Sequence, residues 1–283
     1  CGLFLDGIIV TDKNKSFVSK SKYLHRCLLV RKNEQEVVSC LLNQKTIAGK
    51  KTILIPSDDF SESIIDKHLD ALSPFYITPN INFTEGAIVR LMNKDAMNQV
   101  AMEEGLLVPK SISLQVPDDL LLLNEKLTIN GISFPLIVKP LRSVAGNKDA
   151  IEIVYSLTEL EGFLKMLPPC NVLLQEYLEI EEEYGIQGYA YNGQVYIPGV
   201  IRKIRTSSYS RGSTIYARLE RDVPSIDKSM IANMVERTRF SGLFDIELFL
   251  HKGDLYFIEM NFRNGAYGYA YTRFGSNLAY LWV

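Results

Sequence analysis

Apolar and polar positions follow two rhythms along this chain, one strand-like and one helical. Over residues 1–80, Ile8-Ile9-Val10 and Cys27-Leu28-Leu29-Val30 read as strands, and Val37 to Leu42 lies on an amphipathic helix. Thr52 to Ile55 reads as another strand ending in Pro56-Ser57-Asp58-Asp59, Ser61 to Leu72 has helical spacing, and Phe75-Tyr76-Ile77 is a last short run. Alternation of this kind predicts an α/β unit with a doubly wound parallel sheet. Ligands of such sheets gather beyond the carboxyl ends of the strands, where Ser57, Asp58 and Asp59 sit; the same run also reads as the cap of the next helix.

Further along, Asn93 is placed to cap a helix over 94–104, with Gly105 as its stop and Pro109 just beyond. Residues 110–180 predict strand, helix, strand, loop, strand, helix and strand. The remainder is strand-rich, with an Asn192-Gly193 hairpin turn and one helix between Pro224 and Phe240. Boundaries near 83 and 180 divide the chain into three units, 1–82, 83–180 and 181–283.

The densest pattern is Gly242 to Arg263, where two alternating runs flank Lys252-Gly253-Asp254 and predict a β-hairpin. Side chains two apart share a face of a strand, so Asp245 and Glu247 point one way while Ile246, Leu248 and Leu250 point the other. Glu259 and Asn261 share a face on the return strand. A three-residue loop sets Glu259 opposite Glu247 or Asp245, and either register gathers three carboxylates and an amide. Like charges facing each other destabilise a sheet, so the face asks for a cation, and its oxygen donors suit Mg²⁺ or Mn²⁺. Arg263 adds an anion-stabilising group at the same edge.

Composition narrows the classes. The 283 residues are 47% hydrophobic and 23% charged with a net charge of −2, which gives no global field for nucleic acid or a membrane surface. No apolar run approaches the roughly 20 residues that span a bilayer. Cys1, Cys27, Cys40 and Cys170 are scattered without a metal-ligand spacing and read as free thiols of a reducing, cytoplasmic compartment. His25, His68 and His251 are isolated. The chain opens at Cys1 inside an apparent element, which predicts a fragment or a processed form.

Other residues suit a nucleotide. The apolar strand Phe134 to Pro140 delivers a single lysine, Lys139, whose burial would be costly without an anion. The loop behind it carries Ser143, Gly146, Asn147 and Lys148, small and polar enough to fold backbone N–H groups over phosphates. Lys94 stands in the first turn of its helix, where the helix dipole disfavours a cation. Val172 to Leu178 is a strand breaking into Glu179, Glu181, Glu182 and Glu183, where backbone could read an adenine edge and a carboxylate could accept ribose hydroxyls. Arg202, Lys203, Arg205 and Arg211, interleaved with hydroxyl residues, could grip a phosphate or a carboxylate substrate, or form a basic surface hairpin. No GxGxxG, GxxxxGK[ST] or kinase catalytic-loop motif occurs.

In this order the segments NKDAMNQVAMEEGLLVP, LIVKP, LLQEYLEIEEE and FDIELFLHKGDLYFIEMNFR resemble the ATP-grasp superfamily of carboxylate–amine ligases, from about Asn93 to Arg263. The SKY, IPSDDF and NFRNGAYGYAY segments look like bacterial D-aspartate ligases and carbamoyl-phosphate-synthetase-like modules. The resemblance implies a pre-ATP-grasp Rossmann-like domain over 1–82, lacking its first strand and Gly-rich turn, then two α+β ATP-grasp subdomains. It implies that Lys94, Lys139 and Lys148 contact ATP phosphates, that Glu176, Tyr177 and Leu178 line the adenine pocket, and that Glu183 or Glu182 holds the ribose. Glu247, Glu259 and Asn261 would bind Mg²⁺ (or Mn²⁺), Arg263 and Lys139 would stabilise reacting charge, and Arg202, Lys203, Arg205, Arg211 and Asp58 would meet substrate. The phosphate loop holds only Gly146, and these ligases commonly continue beyond a point equivalent to Val283.

The implied activity is ATP-dependent activation of a small-molecule carboxylate as an acyl phosphate for attack by an amine, with no nucleic-acid or membrane partner and a homodimer left open. A non-catalytic ATP-binding module, or a truncated subunit of a larger carbamoyl-phosphate-synthetase-like enzyme, is the alternative.

Overall fold

The computed structural model describes residues 6–10, 17–44, 51–117, 120–140, 152–206 and 214–283. The first unit runs β1 (Asp6–Val10), β2 (Arg26–Val30), α1 (Glu34–Asn43), β3 (Thr52–Ile53), α2 (Asp59–Lys67), α3 (Leu69–Leu72) and β4 (Tyr76–Ile77). β1 pairs with β2 and β3 with β4, both in parallel. Val37 and Leu41 of α1 meet Ile64 and Ile65 of α2 and Tyr76 of β4 in one apolar core, with Ile8, Val10 and Val30 packed against it. Parallel pairing is therefore present, but among the described residues the strands form two separate pairs rather than one doubly wound sheet. The helix expected over Ser61 to Leu72 begins two residues earlier and breaks at His68.

β5 (Asn80–Ile81), α4 (Ala87–Leu91) and α5 (Lys94–Glu103) follow. Asn93 caps α5 by accepting from the N–H groups of Asp95 and Ala96, and Gly105, at φ +84°, ends it. Next come β6 (Ser111–Val116), α6 (Leu123–Ile129), β7 (Leu136–Pro140), β8 (Glu152–Val154), α7 (Leu157–Met166) and β9 (Cys170–Glu176). These strands make an antiparallel sheet in the order β6-β9-β7-β8. Leu114, Leu136, Val138 and Leu174 bury one face of it against Leu127 of α6 and Leu160 and Leu164 of α7.

The last part comprises β10 (Glu182–Tyr191), β11 (Gln194–Tyr196), β12 (Val200–Thr206), β13 (Thr214–Glu220), α8 (Lys228–Arg237), β14 (Phe240–His251), β15 (Asp254–Asn261), α9 (Gly268–Arg273) and α10 (Leu278–Leu281). Its sheet runs β13-β12-β10-β14-β15, with β11 beside β10 and β5 beside β14. Because side chains alternate along each strand, the sheet has two unlike faces. Tyr184, Ile186, Ile246, Leu248 and Met260 form the apolar face, buried against Ile231, Met234 and Val235 of α8 and Met97 and Ala101 of α5. The other face is polar at its centre. Cys27, Cys40 and Cys170 are free thiols, and no helix among the described residues is long and apolar enough to cross a membrane.

Candidate functional site

The polar face is set by register. Gln187 of β10 faces Asp245 of β14, which faces Asn261 of β15; one step along, Gly185 faces Glu247, which faces Glu259. On the other side of β10, Glu183 faces Lys203 of β12. The carboxylates Asp245, Glu247 and Glu259 and the Asn261 amide thus share one surface, in the first of the two expected registers.

The turn differs from expectation. Lys252 (φ +51°) and Gly253 (φ +83°) form a two-residue connection, with His251 opposite Asp254, the φ signature of a tight hairpin turn. Such a turn alone would set Glu247 opposite Ile258. A bulge shifts the ladder between Leu248–Phe257 and Glu247–Glu259, leaving Ile258 as the extra residue. The bulge, not the loop length, brings the two glutamates face to face.

Lysines answer these charges. Lys203 is almost wholly buried and sits 2.8 Å from Glu183 and 3.4 Å from Glu247. Burial works against its charge, but Glu247 and Glu183 hold the ammonium above the usual lysine range. Lys94, the first residue of α5, reaches Glu259 at 3.7 Å. Lys139 on β7 donates to Gln175 of β9 at 2.5 Å. Burial, reinforced by nearby Lys94 and opposed by Glu259, lowers its pKa to about 8.

Burial nonetheless works against the charged form of the carboxyls on this face. Burial raises Asp245 to about 6, against the Gln187 hydrogen bond and Arg263. Burial, with Glu259 adding to it, raises Glu247 as well. Carboxyls pushed up by desolvation and by one another are what a divalent cation would relieve. Two facing glutamates and an amide match the sparse protein ligation of Mg²⁺, which draws its remaining oxygens from water and phosphate. Among the described residues no group of three or more His, Cys, Asp or Glu side chains is placed to hold a metal ion by itself. The residues present fit an ion completed by a phosphate ligand.

Arg263 lies just past Asn261. Its Nε donates to Asp59 at 2.6 Å, Nη2 to Asn261 at 3.2 Å and Nη1 to the Asn264 carbonyl at 3.4 Å. A cleft of about 170 Å³ opens between Asp59, Phe60 and Ser63 of α2, Lys94 and Met97 of α5, and residues 257–261 of β15.

No protein-family profile matches the chain. It is 25% identical over 191 residues, 65% of its length, to the carbamoyl phosphate synthase large chain of Halomonas eurihalina. The chain spans 17% of that protein and 13% of the large chain of Helicobacter pylori. Among solved structures, the D-alanine–D-alanine ligase of Bacillus anthracis complexed with ATP superposes with a TM-score of 0.64 at 17% identity, over 98% of this chain and 94% of that one. The ADP complex of N5-carboxyaminoimidazole synthetase from Staphylococcus aureus gives 0.65 at 18% identity, over 94% and 66%. The chain has the ATP-grasp fold.

Within the ATP-grasp frame the expected residues are placed as follows. Lys94 reaches Glu259, Glu247 faces Glu259, Arg263 donates to Asn261, and Lys139 lies near enough to Lys94 and Glu259 to feel their charges. Glu176, Tyr177 and Leu178 form the link from β9 toward β10, with the Tyr177 N–H donating to the Pro135 carbonyl at 2.9 Å. The Glu176 carboxylate is engaged by the Lys110 N–H at 2.9 Å, leaving that link to offer backbone rather than a free acid. Glu183 is paired with Lys203, and Glu182 with Arg202 and the Tyr184 hydroxyl.

The described part of the basic run divides its contacts. Lys203 turns into the acidic face, Arg202 bridges Glu182 and Glu220, and Arg205 is exposed. Asp58 caps α2, accepting from Ser61 N–H at 2.7 Å, and its neighbour Asp59 holds Arg263. Lys148 and Arg211 lie outside the described residues, as do Ser143, Gly146, Asn147 and Ser207 to Ser210. Sequence reasoning did not single out Gln175 and Gln187. Each is a lone amide inside an apolar strand run, and both are buried, which is the signal that marks them.

Proposed function

We propose that this chain is an ATP-dependent carbon–nitrogen ligase that activates a small-molecule carboxylate for attack by an amine. The observation that carries the reading is the facing pair Glu247–Glu259, flanked by Asn261 and Arg263 and approached by Lys94 and Lys203, on one face of an ATP-grasp sheet. On this reading residues 1–82 form a pre-ATP-grasp domain, and 83–180 and 181–283 form the two subdomains that enclose the nucleotide.

A carboxylate oxygen of the substrate attacks the γ-phosphorus of ATP, the bond to the bridging oxygen breaks, and ADP leaves. The amine then attacks the acyl carbon of the resulting acyl phosphate, expels phosphate and releases a proton. Glu247, Glu259 and Asn261 would hold Mg²⁺ or Mn²⁺, which screens the β- and γ-oxygens when bound. Lys139 and Lys94 offset charge on the phosphates, with Lys148 in the following loop. Glu176, Tyr177 and Leu178 edge the adenine, and Glu183 accepts from the ribose. Arg263 faces the reacting carboxylate, where a fixed cation in a water-poor site lowers the barrier as oxyanion charge develops. No side chain serves as nucleophile, since positioning and electrostatics supply most phosphoryl-transfer catalysis.

Glu259→Gln tests this directly. Phosphate release from Mg·ATP, screened against a panel of amino acids as carboxylate and amine, should fall about 10²–10³-fold. Near-normal turnover removes Glu259 from the site. The same assay addresses the alternative reading. A non-catalytic nucleotide-binding unit, or a truncated subunit, would bind Mg·ATP without releasing ADP.

A further inference from the structure

α2 belongs to the first unit, yet its first residue touches the far end of the chain. The Asp59–Arg263 bond joins residues 204 positions apart. A second tie runs beside it, from the Asn264 N–H to the Pro56 carbonyl at 3.1 Å. Asp58, capping α2, fixes the backbone from which Asp59 projects. Both partners are largely screened from water, with side chains 28% and 19% exposed.

We propose that Asp59 is a positioning residue for Arg263, an inference that rests on the ligase reading given above. A guanidinium has five donors in a rigid plane. Holding Nε on Asp59, with Nη2 on Asn261, fixes both the plane and its rotation about the side-chain axis, and turns the Nη edge toward β15. An arginine without that tether would sample several rotamers, and a cation must be aimed before charge develops if it is to stabilise a transition state.

The neighbouring carboxyls support this division of labour. Glu62, one turn beyond Asp59, is 1% exposed, and neither of its oxygens has a hydrogen-bond partner among the described residues. Burial, with Asp66 and Asp59 adding to it, holds Glu62 well above the usual carboxylate range, opposed only by Arg263. With its carboxyl held toward the protonated form, Glu62 competes less than Asp59 for Arg263. The guanidinium is oriented without being smothered by two charges. Asp66 behind it is spent on the Val89 N–H at 2.8 Å.

The test is a double-mutant cycle on the full chain, read as phosphate release from Mg·ATP with the most active amino-acid pair of the panel. Asp59→Asn should lower kcat about 10–30-fold, with KM for ATP within about twofold. Asp59→Glu should recover part of the loss. In an Arg263→Lys background, which cannot use Nε, Asp59→Asn should cost less than about twofold. Additive losses would show that Asp59 acts independently of Arg263, and that result, or an Asp59→Asn enzyme with full kcat, overturns the proposal.

A second arm needs no turnover. In arginine-labelled protein, the Arg263 Nε–H resonance, assigned by its disappearance in Arg263→Lys, should exchange with solvent at least about tenfold faster in Asp59→Asn than in the parent. Equal exchange rates overturn the tether. Absence of phosphate release from the parent protein would instead sink the ligase reading, leaving the exchange experiment to decide on Asp59.

Discussion

Lys139 shows how one side chain gathers its chemistry from its surroundings. It stands on a strand whose neighbours Leu136 and Val138 are fully buried. The only described hydrogen bond of its ammonium is to the Gln175 amide, which supplies no charge. Desolvation and Lys94 together bring its pKa down to about 8. Competitive acetylation read by peptide mass spectrometry should therefore give a labelling midpoint near about 8 in the free protein. Mg·ADP should move that midpoint upward, because a phosphate beside the ammonium favours its charged form. A free-protein midpoint at the ordinary lysine value of about 10.4 would show the site to be wetter than the structure implies. Asp59 and Asp58 make a complementary point. They are chemically identical neighbours, and the helix start decides that one caps while the other reaches Arg263.

Among the elements, the β14–β15 hairpin carries the most function and was also the most legible. Alternation along both runs told which residues share a face, and the acidic face followed from that alone. Loop parity was misjudged, because a two-residue Lys252-Gly253 turn and a bulge at Ile258 together mimic a three-residue loop, and no local pattern marks a bulge at an isoleucine. Long-range pairings were less readable. Nothing in the 202–211 run shows that Lys203 faces Glu183 of β10, since that depends on which strands become neighbours. The contact between α2 and Arg263 likewise depends on how the first unit meets the last. The segment after β15 is as constrained as the hairpin. A Cβ built on Gly265 would stand 1.9 Å from the Gln187 amide nitrogen and 2.6 Å from Asp245 Cγ. Both of those side chains are buried and bonded to each other. Gly265→Ala should thus destabilise the protein by about 1–3 kcal/mol in chemical denaturation. It should also weaken Mg·ADP binding, because Asp245 backs the glutamate pair. An unchanged denaturation midpoint would mean that the 264–268 segment yields freely.

Across the whole molecule, buried acids make the ligand-free protein sensitive to pH. Asp245, at about 6 when folded against 3.8 for its ordinary value, binds its proton more tightly in the native than in the unfolded chain. Its contribution to stability is complete below about pH 4 and is lost as pH rises through about 6. The shift corresponds to about 3 kcal/mol, and Glu247 and Glu62 act in the same direction. The melting temperature of the free protein should therefore fall between pH 4.5 and 7, and Mg·ADP at neutral pH should restore much of the loss. A flat profile would argue against desolvated acids at the sheet centre. Lys94 on Glu259 and Lys203 on Glu247 carry a further consequence. Each glutamate already has a tethered counterion, so a lone divalent ion is repelled by two ammonium groups, and a lone triphosphate meets the acids those groups cover. On the proposed reading, metal and nucleotide arriving together would be admitted more readily than either alone, because a phosphate would draw Lys94 off the glutamate that the ion needs.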